Sequence, residues 1–404
     1  MNQNLIKVIA QYLAIETSYA VILSGEYGIG KTYFFKEVLS PEIKKVVVHN
    51  LDGKITFIPI HISLFGLKSI EEIQTEIFLS IYSIPRSKNF VLAGSILKTL
   101  ARGIAGITKA GDIDKFIDDV RKGAVEQIDY NRLLLCLDDF DRISPQLNMR
   151  EVLGFVNSLV ENHGAKVIII ANETILSKDT EYISTLKEKV IGVTINYIPE
   201  TSNVIENIIN SKYSTENITY HTFLQNNLAK IKEISELNKN NFRNLIFFLE
   251  HFRYIFNSIE LLFQADKNFR KNKEAKQKAI FDFSIAIAIE YKAGRLNIEN
   301  AKKIHELSNR VYLANYKEDE EKAYLEKLNK EYFSNDTYYF FRSILDYIIG
   351  YSDFESQKLK DELDNYFNLI EKNNIIDLSI LELLNYRNYY KLTDVEYKKT
   401  HVNY

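Results

Sequence analysis

The eight residues Gly25-Glu26-Tyr27-Gly28-Ile29-Gly30-Lys31-Thr32 follow the pattern G-x-x-x-x-G-K-T. Glycines at this spacing let backbone N–H groups turn inward around an anion, and a helix opening behind them adds partial positive charge. In such a loop the Lys31 ammonium reaches the β- and γ-phosphates of a nucleoside triphosphate, and the Thr32 hydroxyl ligates Mg²⁺. The flanking sequence supplies the setting the loop needs. Tyr19-Ala20-Val21-Ile22-Leu23 is an apolar, β-prone run, and residues 33–39 carry apolar side chains at helical spacing. The stretch from Gly25 to Tyr33, with Glu26, Tyr27 and Ile29 in its turns, is the candidate site for ATP with Mg²⁺.

Hydrolysis also needs a metal ligand and a group that orients water. Residues 133–137, Leu-Leu-Leu-Cys-Leu, form the continuous apolar run of a strand buried on both faces, and lead straight into Asp138-Asp139-Phe140-Asp141-Arg142. Asp138 then stands at a strand's carboxyl end, where ligands bind in open α/β sheets, and would hold Mg²⁺ mostly through its water shell. Asp139 sits one residue on, in the place of a carboxylate that polarises the attacking water. Two readings stay open for Asp141 and Arg142: an ion pair that shapes the loop, or a role at a subunit or nucleotide interface. Asn172 follows a second buried run, residues 167–171. It is either a sensor that hydrogen-bonds the γ-phosphate or the catalytic water, or a turn residue closing the strand. Arg243, in Asn241-Phe242-Arg243-Asn244-Leu245, is either a second phosphate sensor or an exposed helix residue.

The elements that must position these residues can be read in order. Residues 5–15 have helical apolar spacing; residues 46–48 and 57–62 read as strands. A helix follows from Ile70 to about Tyr82, with Ser69 as N-cap and Glu72 completing a capping box. An amphipathic helix is expected at 112–127, another helix at 151–163, and a last strand at 193–198. Strands alternating with helices predict a doubly wound parallel sheet, an α/β fold. After Pro199 the pattern turns helical, at 204–213, 222–237, 240–263, 275–292, 299–312 and 319–333, with a boundary near Glu200. Within 275–292, Ile285, Ile287 and Ile289 alternate as in a strand, but Ala286 and Ala288 between them favour a buried helix. The expected organisation is an NTPase domain over 1–200 with an insertion at 83–111, a helical lid over 201–270 and a helical C-terminal domain over 271–404.

Composition narrows the remaining classes. With 46% hydrophobic and 26% charged residues, the 404-residue chain is an ordinary globular protein with room for two or three domains. A net charge of −3 gives no global basic field. Cys136 is the single cysteine, which excludes an internal disulfide and cysteine-based zinc sites and fits a cytoplasmic setting. No signal peptide is read at the N-terminus. The apolar stretch 90–107 is interrupted by Lys98 and Arg102, so a packed insertion is expected there rather than a membrane helix. Lys267, Arg270, Lys271, Lys273, Lys276 and Lys278 form a basic cluster that could follow nucleic-acid phosphates or lie on a solvated helix. Tyr386, Tyr389 and Tyr390 are either a stacking surface or helical core. Among the seven histidines no Ser-His-Asp set or His-rich metal site stands out.

Taken together, the chain resembles the KAP family of P-loop NTPases, related to the AAA+ and STAND ATPases. The resemblance rests on the phosphate loop; on Ile62-Ser63-Leu64-Phe65-Gly66-Leu67-Lys68-Ser69-Ile70-Glu71-Glu72; on Asp138-Asp139-Phe140-Asp141-Arg142; on Ile170-Ala171-Asn172; and on Leu186-Lys187-Glu188-Lys189-Val190-Ile191 with Pro199 beyond. It covers roughly residues 1–250 and implies an ATP-hydrolysing regulatory switch. Its partners would be further copies of itself or an effector protein, and many bacterial members act in defence against phages. The family's insertion is membrane-associated in some members; residues 83–111 lack a clear spanning run. The basic cluster motivates the alternative of a nucleotide-dependent, nucleic-acid-binding protein of replication or repair.

Overall fold

The computed structural model describes residues 2–50, 53–83, 130–173, 189–215, 217–298, 301, 328, 330–333 and 339–373. Outside them lie the insertion beyond Ser83, the stretch 90–107, the expected helix at 112–127, half of 186–191, most of 299–312 and 319–333, and Tyr386, Tyr389 and Tyr390. The chain forms two compact units, Met1–Glu200 and Thr201–Tyr404.

In the first unit the strands are β1 (Ala20–Ser24), β2 (Val47–Asn50), β3 (Gly53–Thr56), β4 (Ile58–Ser63), β5 (Leu133–Asp138), β6 (Lys166–Ala171) and β7 (Ile191–Asn196). Five of them make a parallel sheet in the order β4-β5-β6-β1-β7. The register sets Ser63 beside Asp138 and Ser24 beside Ala171, so the loops after β1, β4, β5 and β6 leave from one edge. Residues 46–48, expected as a further strand, pair elsewhere. Strand β2 makes an antiparallel two-stranded sheet with β3, its near neighbour in sequence, because pairing so close along the chain costs little loop entropy.

Apolar runs without alternation become strands covered on both faces. Leu133, Leu135 and Leu137 of β5, with Val167 and Ile169 of β6, join a core with helices α3 (Ile70–Ser83) and α4 (Met149–Glu161). Leu134, Cys136, Ile168 and Ile170 face the other way, onto α1 (Asn2–Ala14) and the helical segment α2. That segment is built from Lys31–Tyr33, a wider π-type turn over Phe34–Leu39, and Ser40–Ile43. The Ser69 hydroxyl caps α3 through the Glu72 N–H as expected, but Glu72 reaches back to the N–H of Lys68, one residue before the cap.

The second unit is helical in its described residues: α5 (Thr201–Tyr213), α6 (Ile218–Asn226), α7 (Leu228–Leu237), α8 (Phe242–Ala265), α9 (Lys273–Lys292), α10 (Arg342–Ile348) and α11 (Ser356–Asn373). The single helix expected over 222–237 is two, divided at Asn227, whose side-chain amide bonds back to the Phe223 carbonyl. The alternating isoleucines are helical: α9 buries Ile280 to Ile289 on every side except at half-buried Asp282. One apolar core holds Ile205, Phe252, Phe281, Ile344 and Phe367 together, with members from both 201–270 and 271–404. No helix among the described residues is long and apolar enough to cross a membrane.

Candidate nucleotide site

The loop after β1 is tied to both neighbouring strands. The Gly25 N–H donates to the Ala171 carbonyl at 3.3 Å, and the Tyr197 N–H to the Ser24 carbonyl at 2.8 Å. The backbone then turns through Gly28 (φ 77°) and Gly30 (φ 93°), left-handed conformations that glycine adopts at no steric cost. Gly25 has a different requirement: a Cβ there would lie 3.1 Å from the Tyr197 carbonyl oxygen and 2.6 Å from Ile29 Cδ1. Helix α2 opens at Lys31, and the Phe34 N–H already donates to the Gly30 carbonyl at 2.8 Å.

Lys31 is 8% exposed, and its ammonium donates to the carbonyls of Gly25 and, at 2.9 Å, Glu26. Burial lowers its pKa, against the opposing pull of Asp141, Asp138 and Glu26. Thr32 Oγ1 donates to Asp138 Oδ2 at 2.6 Å. Asp138 is 3% exposed. Burial pushes its carboxyl up, but hydrogen bonds from His61, Thr32 and the Asp139 N–H outweigh this and hold it below its ordinary value. Among the described residues no group of three or more His, Cys, Asp or Glu side chains could hold a metal ion. The Thr32 hydroxyl beside the Asp138 carboxylate is nonetheless a hard-oxygen donor pair. That fits Mg²⁺, which takes few protein ligands and completes its shell with phosphate oxygens and water.

Asp139 has a left-handed backbone (φ 58°, ψ 32°), which aims its N–H at Asp138 Oδ1, 2.8 Å away. Its Oδ2 accepts from Ser63 Oγ at 2.8 Å. Asp141 and Arg142 make contacts with the phosphate loop and the next strand end. Asp141 Oδ2 accepts the Asn172 N–H at 2.8 Å, and the Arg142 guanidinium stacks 3.9 Å from the centre of the Tyr27 ring. Burial, and then a hydrogen bond to Asp141, raise the Tyr27 hydroxyl pKa. Asn172 is buried, with its amide 3.5 Å from Glu26 Oε2. The structure thus gathers Gly25 to Thr32, Asp138, Asp139, Asp141, Arg142 and Asn172 at one sheet edge. Tyr33, next to Thr32, is exposed.

Arg243 belongs to the second unit, exposed in the first turn of α8. The basic cluster is half consumed by local contacts. Lys276 is buried and donates to the Phe269 carbonyl, Lys273 pairs with Glu260 at 2.6 Å, and Lys278 pairs with Asp282 at 3.1 Å. Lys267, Arg270 and Lys271 stay exposed. One participant escaped the sequence reading: His61 of β4, whose Nε2 lies 2.9 Å from Asp138 Oδ2. Its only sequence signal is a polar residue between the apolar Ile60 and Ile62.

A glycine-bounded phosphate loop on a parallel α/β sheet, with a hydroxyl and a carboxylate meeting behind its lysine, defines a P-loop NTPase. Residues 1–259, well over half of the chain, match the KAP family P-loop domain. The chain therefore belongs to the KAP family of P-loop NTPases, whose members bind nucleotides through this loop. No curated protein matches it. Among solved structures it is similar to Cdc6p from Pyrobaculum aerophilum, at 16% identity over 89% of this chain and 93% of that one, with a TM-score of 0.38. The ORC2 protein of Aeropyrum pernix, solved in ADPNP-ADP complexes, is 15% identical over 92% and 95%, with a TM-score of 0.38.

Proposed function

We propose that the chain binds ATP with Mg²⁺ at Gly25–Thr32 and hydrolyses it, acting as a regulatory switch. The observation that carries this reading is the meeting of Thr32 and Asp138 at 2.6 Å, with Asp139 beside them and Lys31 in the same loop. Bound Mg²⁺ would neutralise charge on the β- and γ-phosphate oxygens. The loop N–H groups and Lys31 hold the phosphates in place. Asp139 accepts a proton from the attacking water; Ser63 fixes its Oδ2, so Oδ1 is the basic oxygen. Asn172, anchored by Asp141, carries the γ-phosphate contact of a sensor.

Residues 201–270 would act as the lid, with Arg243 as a second sensor, and residues 271–404 would pass the nucleotide state to further copies or to an effector. The family resemblance supports a setting in anti-phage defence. Calorimetry tests the phosphate site: Lys31→Ala should abolish ATP binding, and unchanged affinity would refute the assignment. A nucleic-acid-binding reading keeps Lys267, Arg270 and Lys271 in its favour, and DNA affinity that weakens with salt and with their neutralisation would support it.

A further inference from the structure

We propose that His61 is a positioning residue for Asp138 and that its hydrogen bond sets how much Mg²⁺ the site needs to bind nucleotide. This rests on Asp138 being the metal-holding carboxylate. An ionised carboxylate offers about four lone-pair sites. Three are taken here: Thr32 Oγ1 (2.6 Å) and His61 Nε2 (2.9 Å) meet Oδ2, and the Asp139 N–H (2.8 Å) meets Oδ1. The remaining site is the one a metal-bound water can use, and its direction is fixed by the other three donors.

Of these donors, Thr32 sits in the phosphate loop and the Asp139 N–H adjoins the carboxylate it holds. His61 belongs to neither motif and comes from strand β4 at the sheet edge. Register places it beside Cys136, two residues before Asp138 and on the same face. There the imidazole is mostly buried, tilted against the Phe35 ring of α2 at 6.1 Å between centroids. Its packing fixes the ring, and the ring fixes the carboxylate. Outer-shell partners of this kind typically account for about 10–100-fold in metal affinity.

The test titrates Mg²⁺ into the full chain with a fluorescent ATP analogue, alongside Mn²⁺ titrations read by electron paramagnetic resonance. His61→Leu should raise the half-saturating Mg²⁺ and the Mn²⁺ dissociation constant about ten-fold or more. Binding of the analogue in EDTA should stay at the wild-type value. His61→Gln, whose amide N–H can still donate to Oδ2, should move both metal readouts back toward wild type. If His61→Leu fails to fold, His61→Asn, too short to reach Oδ2, carries the same expectation. A wild-type metal requirement in these variants, or equal losses with Mg²⁺ and with EDTA, would overturn the inference while leaving the metal role of Asp138 standing. Asp138→Asn marks the other case: if it too keeps the wild-type requirement, the metal assignment falls and this inference with it.

Discussion

Asp139 combines a chemical and a conformational demand. Left-handed backbone is tolerated by Asp and Asn better than by most L residues, so Asp139→Asn keeps the turn while removing the base. That variant should bind ATP as wild type does and lose about 10²–10⁴-fold in single-turnover phosphate release. Asp139→Val, strained by about 1–3 kcal/mol, should also melt at a lower temperature. The stacked Arg142 and Tyr27 pair gives a separate expectation. A double-mutant cycle with Arg142→Ala and Tyr27→Leu, read by urea denaturation, should show a coupling of about 0.5–1 kcal/mol. At this scale the legibility of the sequence followed distance. Lys31, Thr32, Asp138 and Asp139 sit in short motifs that name their chemistry. His61 lies 77 residues from its partner, and only strand register brings the two together.

Among the elements, β6 links the site to the opposite end of the sheet. It leads into Asn172 and begins at Lys166, whose ammonium donates to the Ile15 carbonyl at 2.6 Å and to Thr17 Oγ1 at 2.7 Å, 4.9 Å from the Tyr12 ring centre. Burial pushes this amine down to about 8. Between that value and the ordinary lysine value the unfolded chain binds the proton that the folded chain has released. Stability from this group therefore rises with pH above about 8 and is flat below it. Urea midpoints followed from pH 7 to 9.5 should climb for wild type relative to Lys166→Met, and ATP affinity should be equal in the two. The strands around the site were readable because burial on both faces writes an unbroken apolar run. The hairpin of β2 and β3 was not, since apolar content marks a strand without naming its neighbour. The break at Asn227 was equally hidden, because Asn is tolerated inside a helix and its local bond to the Phe223 carbonyl, four residues back, leaves no mark in the apolar pattern.

Over the whole molecule, each unit carries its own apolar core, and the family match runs past Glu200 to end inside α8. Two calorimetric transitions are expected. ATP with Mg²⁺ at a hundred times its dissociation constant should stabilise the first unit by about 2.7 kcal/mol. In the second unit Glu290 is 1% exposed and is held by Arg295 at 2.6 Å and by the Tyr332 hydroxyl at 2.6 Å. Arg295→Ala should lower only that unit's transition, by about 3–5 kcal/mol, because it strands a buried charge. The two cores also differ in when the ribosome completes them. The sheet that carries the phosphate loop has all its strands once Asn196 has been made, whereas the helical core draws on residues as late as Phe367. At about 5–20 residues per second, the intervening chain takes on the order of 10–30 seconds to synthesise. Each newly made molecule thus passes through an interval in which its nucleotide site can be finished and loaded while the helices proposed to read it are still being translated.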